Sequence, residues 1–358
     1  MSSSASAELH QTKKQKMSDA SAERIGIVTH NGTHHADEAL AVALLRSLPQ
    51  FSSLPLTRTR DASLIDKGTI VVDVGATYEP ERQRFDHHQR GFEHTFENGF
   101  NTKLSSAGLV WKHYGKAILS QKLSEDVDSD LVDLLWKKLY EDFVEAIDGI
   151  DNGIAQYPGQ ALYKSSTDLS SRVGRLNPRW NEALPSDAAQ KQKEEDQRFE
   201  KASALAGGEF WDTLEGLRLA WLPAREIVLR AVEGRKSVEG ADSRGRILVF
   251  DEYASWKDHL HKLEAHLNIT EAERPLYVIY PDSSSSWRIQ AVPVTPTSFE
   301  SRKALPEKWR GVRDEQLDGL LGFEQDLKGA VFVHASGFIG GHKTRQGALA
   351  MARAALDL

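Results

Sequence analysis

The sequence predicts an α/β protein in two parts: a mostly parallel sheet flanked by helices in the N-terminal half, and a smaller α/β domain after it. Three observations carry this. At 358 residues the chain exceeds the usual span of one domain, about 100–200 residues. Strand-like apolar runs alternate with stretches of helical spacing, the pattern of an α/β sheet. The run Ile70-Val71-Val72 is continuously apolar, as in a strand covered on both faces.

The elements follow in order. Residues 1–23 are rich in Ser, Ala and Lys without an apolar period and read as a disordered leader. IGIVT at 25–29 reads as a short buried strand. DEALAVALLRSL at 37–48 combines helical spacing with good helix formers. LTRTR at 56–60 and TIVVDVG at 69–75 read as strands. Helical patterns follow at about 105–120 and 129–148, the second stopped near Gly153. A polar run at 184–201 reads as an exposed helix at a domain junction. The expected division is therefore a first domain over 24–183, a helical linker over 184–235 and a second domain over 236–358. In the second domain, 246–250, 276–280 and 287–292 read as strands and 344–356 as a closing helix.

Composition removes several classes of function. No cysteine is present, which excludes disulfides, thiolate zinc sites, iron–sulfur clusters and cysteine nucleophiles, and leaves His, Asp and Glu as metal ligands. The 45 Lys+Arg against 52 Asp+Glu give a formal charge of -7, unlike a protein that coats duplex DNA. A local basic groove beside bound metals stays open. No apolar run approaches the roughly 20 residues of a membrane span, and there is no signal-peptide core.

Five of the 13 histidines sit in two short clusters. THNGTHHADE contributes His30, His34, His35, Asp37 and Glu38 between the first strand and the first helix. Open parallel sheets gather ligands at that place; buried structural histidines are the alternative. The second cluster is Asp86-His87-His88, preceded by Asp73 at a buried strand end. A carboxylate there costs free energy unless something pairs with it. A divalent cation would do so, as would a capping role. Asp148 and Asp151 stand three apart on one helix face, where they oppose the helix dipole; they fit a cation or an exposed acidic patch. Together these groups suffice for two divalent ions. Mn²⁺ suits a shell of imidazoles and carboxylates, with Mg²⁺ and Zn²⁺ as alternatives. Two such ions clamp a phosphate and activate a bridging water, so hydrolysis of phosphoesters or phosphoanhydrides is the expected chemistry.

At Asp86-His87-His88 the chain resembles the DHH phosphoesterase superfamily, which includes RecJ-type exonucleases and manganese-dependent pyrophosphatases. It is most similar to the Myg (melanocyte-proliferating-gene) family of DHH-like proteins. The likeness is carried by THNGTHHADE (29–38), VVDVGATYEPERQRFDHHQRGF (71–92), AIDGIDNGI (146–154), WRIQAVP (287–293), LPEKWRGVRDE (305–315) and FVHASGFIGGHKTRQGALAMA (331–351). The resemblance implies that His30, His35, Asp37, Asp73 and His87 are metal ligands, with Asp73 bridging two ions. It implies that Asp148 or Asp151 is the last ligand, and that Asp86 and His88 orient the site or assist the phosphate, His88 as a general acid. The sequence departs from the superfamily where His35 replaces a usual aspartate. His34 and Ala36 stand where Myg relatives are expected to carry an aromatic residue and a cysteine. His34 is expected to point to solvent, a spare ligand being the alternative.

In the C-terminal half, RKALPEKWRGVR at 302–313 is basic around Trp309. Charge with an aromatic face suits single-stranded nucleic acid; the alternative is a loop whose Trp309 packs on the core. Gly340-Gly341-His342-Lys343, ahead of the last helix, could bind an anionic phosphate through backbone amides and resembles the superfamily's glycine–histidine substrate motif. Lys343, His342, Arg288 and Arg310 are expected to position the substrate backbone. The resemblance thus implies a metal-dependent 3′→5′ exonuclease acting on single-stranded RNA, with single-stranded DNA as a second substrate, two divalent ions, and a nuclear and mitochondrial location, the cytoplasm being the alternative. Three other readings stay open: a small-molecule phosphohydrolase acting on pyrophosphate or short nucleotides, a metal-dependent amide or ester hydrolase, and an interaction protein with a vestigial site. Oligomeric state, homo-oligomer included, is not marked.

Overall fold

The computed structural model describes residues 24–358, and the chain divides into two compact units between Glu215 and Gly216. The leader expected over 1–23 lies outside the described residues.

In the first unit the order is β1 (Ile27–Thr29), α1 (Ala36–Arg46), α2 (Pro49–Ser52), β2 (Leu56–Arg58), α3 (Ala62–Lys67), β3 (Ile70–Val72), β4 (Tyr78–Glu79) and β5 (Arg84–Phe85). The sheet order is β2-β1-β3-β5-β4. The first four strands are parallel, and β4 pairs antiparallel with β5. Ile27, Val28, Ile70, Val71 and Val72 are all completely buried, which is why these strands carry no polar alternation. A hairpin follows, β6 (Thr95–Glu97) and β7 (Phe100–Lys103), then α4 (Ser106–Leu123), which packs on α1. The helical pattern expected at 129–148 is three pieces: α5 (Asp130–Leu139), one π-helical turn at Tyr140–Val144, and α6 (Glu145–Asp151). π-turns inside helices often mark functional sites. Two more helices complete the unit, α7 (Leu169–Gly174) and α8 (Ala188–Gly216).

The polar run expected as a junction helix opens α8. Farther along, that helix buries Phe199, Ala202, Ala206, Phe210 and Leu214, so its apolar stripe belongs to the first unit. The stretch expected as one linker over 184–235 is thus shared between the units.

The second unit contains α9 (Leu222–Gly234), β8 (Ile247–Val249), α10 (Lys257–His266), β9 (Tyr277–Pro281), β10 (Trp287–Ala291), α11 (Asp314–Leu321), β11 (Ala330–Val333), β12 (Ile339–His342) and α12 (Arg345–Asp357). Its sheet order is β11-β12-β10-β9-β8, antiparallel except for β8 with β9. Both faces are covered. Tyr277, Ile279 and Ile289 join Leu317 and Met351 in one core, while Val278 and Tyr280 join Val228, Val232, Leu260 and Leu263 in another. The alternation along β9 is the period-2 signature of a strand between two apolar layers. Among the described residues, no helix is long and apolar enough to cross a membrane.

Candidate metal centre

The parallel strands of the first sheet end together, and the polar clusters start where they end. His30 follows β1, Asp73 follows β3, and Asp86, His87 and His88 follow β5. Ligand sites in open parallel sheets form outside the carboxyl ends of the strands. Asp73 has φ 56°, a left-handed conformation that aspartate tolerates better than most residues. Its amide donates to Phe85 O at 3.2 Å. The turn sends its carboxylate into a pocket of about 550 Å³ lined by His30, His35, Asp37, Asp86, His88 and Asp151 among others.

Within the pocket, possible ligand atoms converge. His30 Nε2 lies 3.2 Å from Glu38 Oε1 and 3.3 Å from Asp73 Oδ2. Its Nδ1 donates to Asn31 O at 3.1 Å, which fixes Nε2 as the atom facing the carboxylates. His87 Nε2 lies 3.2 Å from Asp151 Oδ2, 3.5 Å from Asp73 Oδ1 and 3.9 Å from Asp37 Oδ2. Yet neither nitrogen of buried His87 has a well-directed hydrogen bond. Imidazole and carboxylate atoms that crowd without satisfying one another are what a cation site presents. Three such groups occur among the described residues: His30, His35, Glu38 and Asp73; Asp73, His87 and His88; Asp37, His87 and Asp151. Asp73 and His87 each belong to two of them, so the groups adjoin, and their donors fit a divalent cation.

The electrostatics reflect this crowding. Burial works against a charged His30, but its bonds to Asp73 and Glu38 outweigh that and raise it to about 10. His87 is likewise raised to about 11, burial being overcome by Asp151 and Asp73. Asp73 is held well below the usual carboxylate range, since His30 and His87 outweigh its burial. Asp37, fully buried and facing Asp73 and Asp151, is pushed well up by burial first and those charges second.

Around the ligand atoms stands a bracing layer. Asp86 accepts from Ala76 N at 2.6 Å, His88 N at 3.0 Å and His88 Nδ1 at 2.7 Å. It ties the loop after β3 to the loop after β5 and leaves His88 Nε2 free for another partner. Asp37 accepts from Ser105 Oγ at 2.6 Å and from the amides of Ser106 and Ala107 at the start of α4. Asp148 is not among the converging groups. It accepts from Ser105 N at 2.9 Å and Tyr140 Oη at 2.8 Å and lies 2.7 Å from Ser105 Oγ, whose single proton it shares with Asp37; burial pushes it up to about 7. Of the two candidates for the last ligand, Asp148 stands outside the converging groups, its oxygens being spent on joining α6 to α4. Asp151, one turn on, reaches the pocket. The expectation for His34 is corrected, the residue being 1% exposed and set edge-on against Phe199 rather than in solvent.

A family model, MYG1_exonuc, described as an uncharacterised protein family (UPF0160), matches residues 26–356. This chain belongs to the MYG1 family. Curated relatives include a "MYG1 exonuclease" of Rattus norvegicus, 47% identical over 93% of this chain and 84% of its own length. The human "MYG1 exonuclease" is 46% identical over 93% and 85%. A "MYG1 protein" of Dictyostelium discoideum is 46% identical over 91% and 94%.

In the second unit of this MYG1 family member the expected substrate residues divide by burial. Trp309 is 1% exposed within the core, so no base can stack on it without opening that core. Arg302, from the same basic run, is locked in a two-pronged pair with Glu264. His342 is completely buried; its Nε2 donates to Leu327 O at 3.1 Å and its Nδ1 accepts from Thr344 N at 3.0 Å. Gly340 and Gly341 lie inside β12 opposite Ile289 and Arg288, not at a helix start. A Cβ on Gly341 would come within 2.6 Å of Arg288 Nη1 and 3.0 Å of Phe332, so strand packing accounts for that glycine. The helix start falls at Thr344, whose Oγ1 accepts from Gly347 N. Lys343 is exposed, whereas Arg288 and Arg310 are half-buried, the first beside Asp282 and over Phe332 and the second donating to Leu305 O.

Sequence reasoning passed over four contributors. Glu38 was visible in the first cluster, and its placement on the inner face of α1 brings it to His30. Ser105 and Tyr140 had no motif to mark them. Arg60, just past β2, is the one Lys or Arg lining the pocket, and no carboxylate pairs with it among the described residues.

Proposed function

We propose that the chain is a metal-dependent exonuclease that hydrolyses phosphodiester bonds of RNA from the 3′ end, with single-stranded DNA as a second substrate. The observation that carries this reading is the convergence of His30, Asp37, Glu38, Asp73, His87 and Asp151 in and beside one pocket outside the strand ends. The names of the rat and human relatives support the exonuclease part of this reading. These six residues, with His35, would hold two divalent ions, Mn²⁺ or Mg²⁺, which when bound polarise the phosphodiester and make a water nucleophilic near neutral pH. Arg60 meets a phosphate oxygen as an unpaired cation. His88, its Nδ1–H held by Asp86, presents Nε2 to give a proton to the departing oxygen. Lys343, Arg310 and Arg288 remain candidates for phosphate contacts within the second unit.

The test is a gel assay with 5′-labelled single-stranded RNA and Mn²⁺, run beside Asp73→Ala. Stepwise shortening from the 3′ end, lost in the variant, supports the reading. Intact RNA together with phosphate release from pyrophosphate or dinucleotides would replace it with the small-substrate reading.

A further inference from the structure

Residues 153–167 are fifteen consecutive exposed residues without regular structure. Loops longer than about 12–15 residues with no structure of their own are uncommon, and ordered ones usually serve binding or catalysis. Both ends of this loop are fixed to the wall of the metal pocket. It leaves from Asp151, which lines the pocket, and returns through Asp168 into α7, where Ser170 and Gly174 line it again. Asp168 caps that helix by accepting from Ser171 N at 2.9 Å. The chain beyond α7 is also anchored next to the first cluster: Asn177 accepts from His34 N at 2.9 Å and donates to His34 O at 2.8 Å.

Large aromatic side chains stand exposed in this loop and in the chain that follows α7. Tyr163 is 80% and Trp180 97% exposed, with Tyr157 nearly half exposed. Single exposed apolar residues are ordinary, whereas a run of them beside a cleft marks an interaction surface. The charge nearby is mainly positive, although Glu182 follows directly and Arg172 is paired with Glu209. Residues 153–167 contain no acid, and from 153 to 181 Lys164, Arg172, Arg175 and Arg179 stand against Asp168 alone. Lys164 and Arg179 make no side-chain salt bridge to a carboxylate among the described residues, though the Glu182 carboxylate lies near Arg179 and accepts from its amide. Aromatic faces with unpaired cations suit single-stranded nucleic acid, in which every base offers a face and every link a charge. An apolar protein partner would not call for this excess of positive charge.

We infer that the rim formed by residues 153–167 and Trp180 is the path by which a single strand approaches the metal pocket, its bases stacking on Tyr163 and Trp180 and its phosphates meeting Lys164 and Arg179. The inference rests on the nuclease reading and gives it a platform within the first unit. It also replaces the aromatic contact once expected of buried Trp309.

The test is binding, measured apart from cleavage. Fluorescence anisotropy of a labelled 20-nucleotide single-stranded RNA is followed with the full chain, in Ca²⁺ and in Mn²⁺. The double variant Tyr163→Ala/Trp180→Ala is expected to bind about tenfold or more weakly, from the usual contribution of a base–aromatic stack. Tyr163→Phe/Trp180→Tyr, which keeps the faces, is expected to recover the affinity. Both should melt with the wild type, since neither side chain is buried. Unchanged affinity in the alanine variant overturns the inference, as does a wild-type chain that binds no strand. A change in sedimentation with unchanged RNA affinity would instead make the rim a contact between copies of this chain. If the strand is bound through Tyr163 and Trp180 but never cut, the platform stands and the exonuclease reading fails.

Discussion

Replacing Gly108 by alanine tests whether Asp148 is a brace. Gly108 lies near the start of α4, and an added Cβ would press on both Asp148 carboxylate oxygens and stand 2.7 Å from its Cγ. The carboxylate cannot retreat freely, because Ser105 N and Tyr140 Oη hold it at 2.9 and 2.8 Å. Hydrogen bonds to charged groups contribute about 1.5–3 kcal/mol each. Overpacking a tight site costs about 1–3 kcal/mol. Against this, alanine is a better helix former than glycine by about 1 kcal/mol. With one bond lost, the net is a destabilisation of about 1.5–5 kcal/mol. For a unit of this size that lowers the melting point by about 3–20 °C. Gly149→Ala is the control: it also lies in a helix, and its added Cβ would meet nothing nearer than Thr102 Cγ2 at 3.9 Å. Calorimetry should show Gly108→Ala melting well below the wild type and Gly149→Ala at or slightly above it. Because α6 carries Asp151 toward His87, Gly108→Ala should also bind Mn²⁺ more weakly. Equal melting points for Gly108→Ala and the wild type would refute the idea that Asp148 is tightly held.

Other outcomes are expected. With His30 near 10 and His87 near 11, both are charged at pH 7 without metal. Ligation therefore releases protons, and apparent Mn²⁺ affinity rises with pH, up to about a hundredfold per unit for two protons; titration calorimetry in buffers of different ionisation enthalpy reads the number. Both values are raised above the ordinary 6.5, so their stabilisation of the metal-free protein is complete below about pH 6.5 and lost as pH climbs through 10–11. Metal-free melting points should fall over that window. Asp86→Asn loosens the tie between the loops after β3 and β5 and should cost about 10–100-fold in metal affinity or activity. Trp309→Ala should destabilise the second unit by about 3–5 kcal/mol, with RNA affinity unchanged wherever the variant stays folded.

Local pattern alone was enough for much of the first unit. The apolar runs of β1 and β3, the helical spacing of α1 and the density of His and Asp in two short clusters each reflect a neighbour-to-neighbour constraint. The two-residue strands β4 and β5 are too short to show a period, and α10 carries too few apolar residues to show a stripe. Trp309 and His342 sit in stretches that read as binding motifs, because a basic or glycine-rich run looks the same whether its aromatic or imidazole ring faces solvent or core. Burial is a property of the packed layers, and no spacing within twelve residues encodes it. The same holds for Asp148 and Asp151. Their separation of three places them on one helix side, but the turn between them and the partners offered by Ser105 and Tyr140, distant in sequence, send one into a brace and the other into the pocket. The sequence thus determined which chemical groups are available and roughly which strand ends bear them. Only the tertiary structure decided which of them converge, because convergence depends on the sheet order β2-β1-β3-β5 and on α4 and α6 closing over its strand ends.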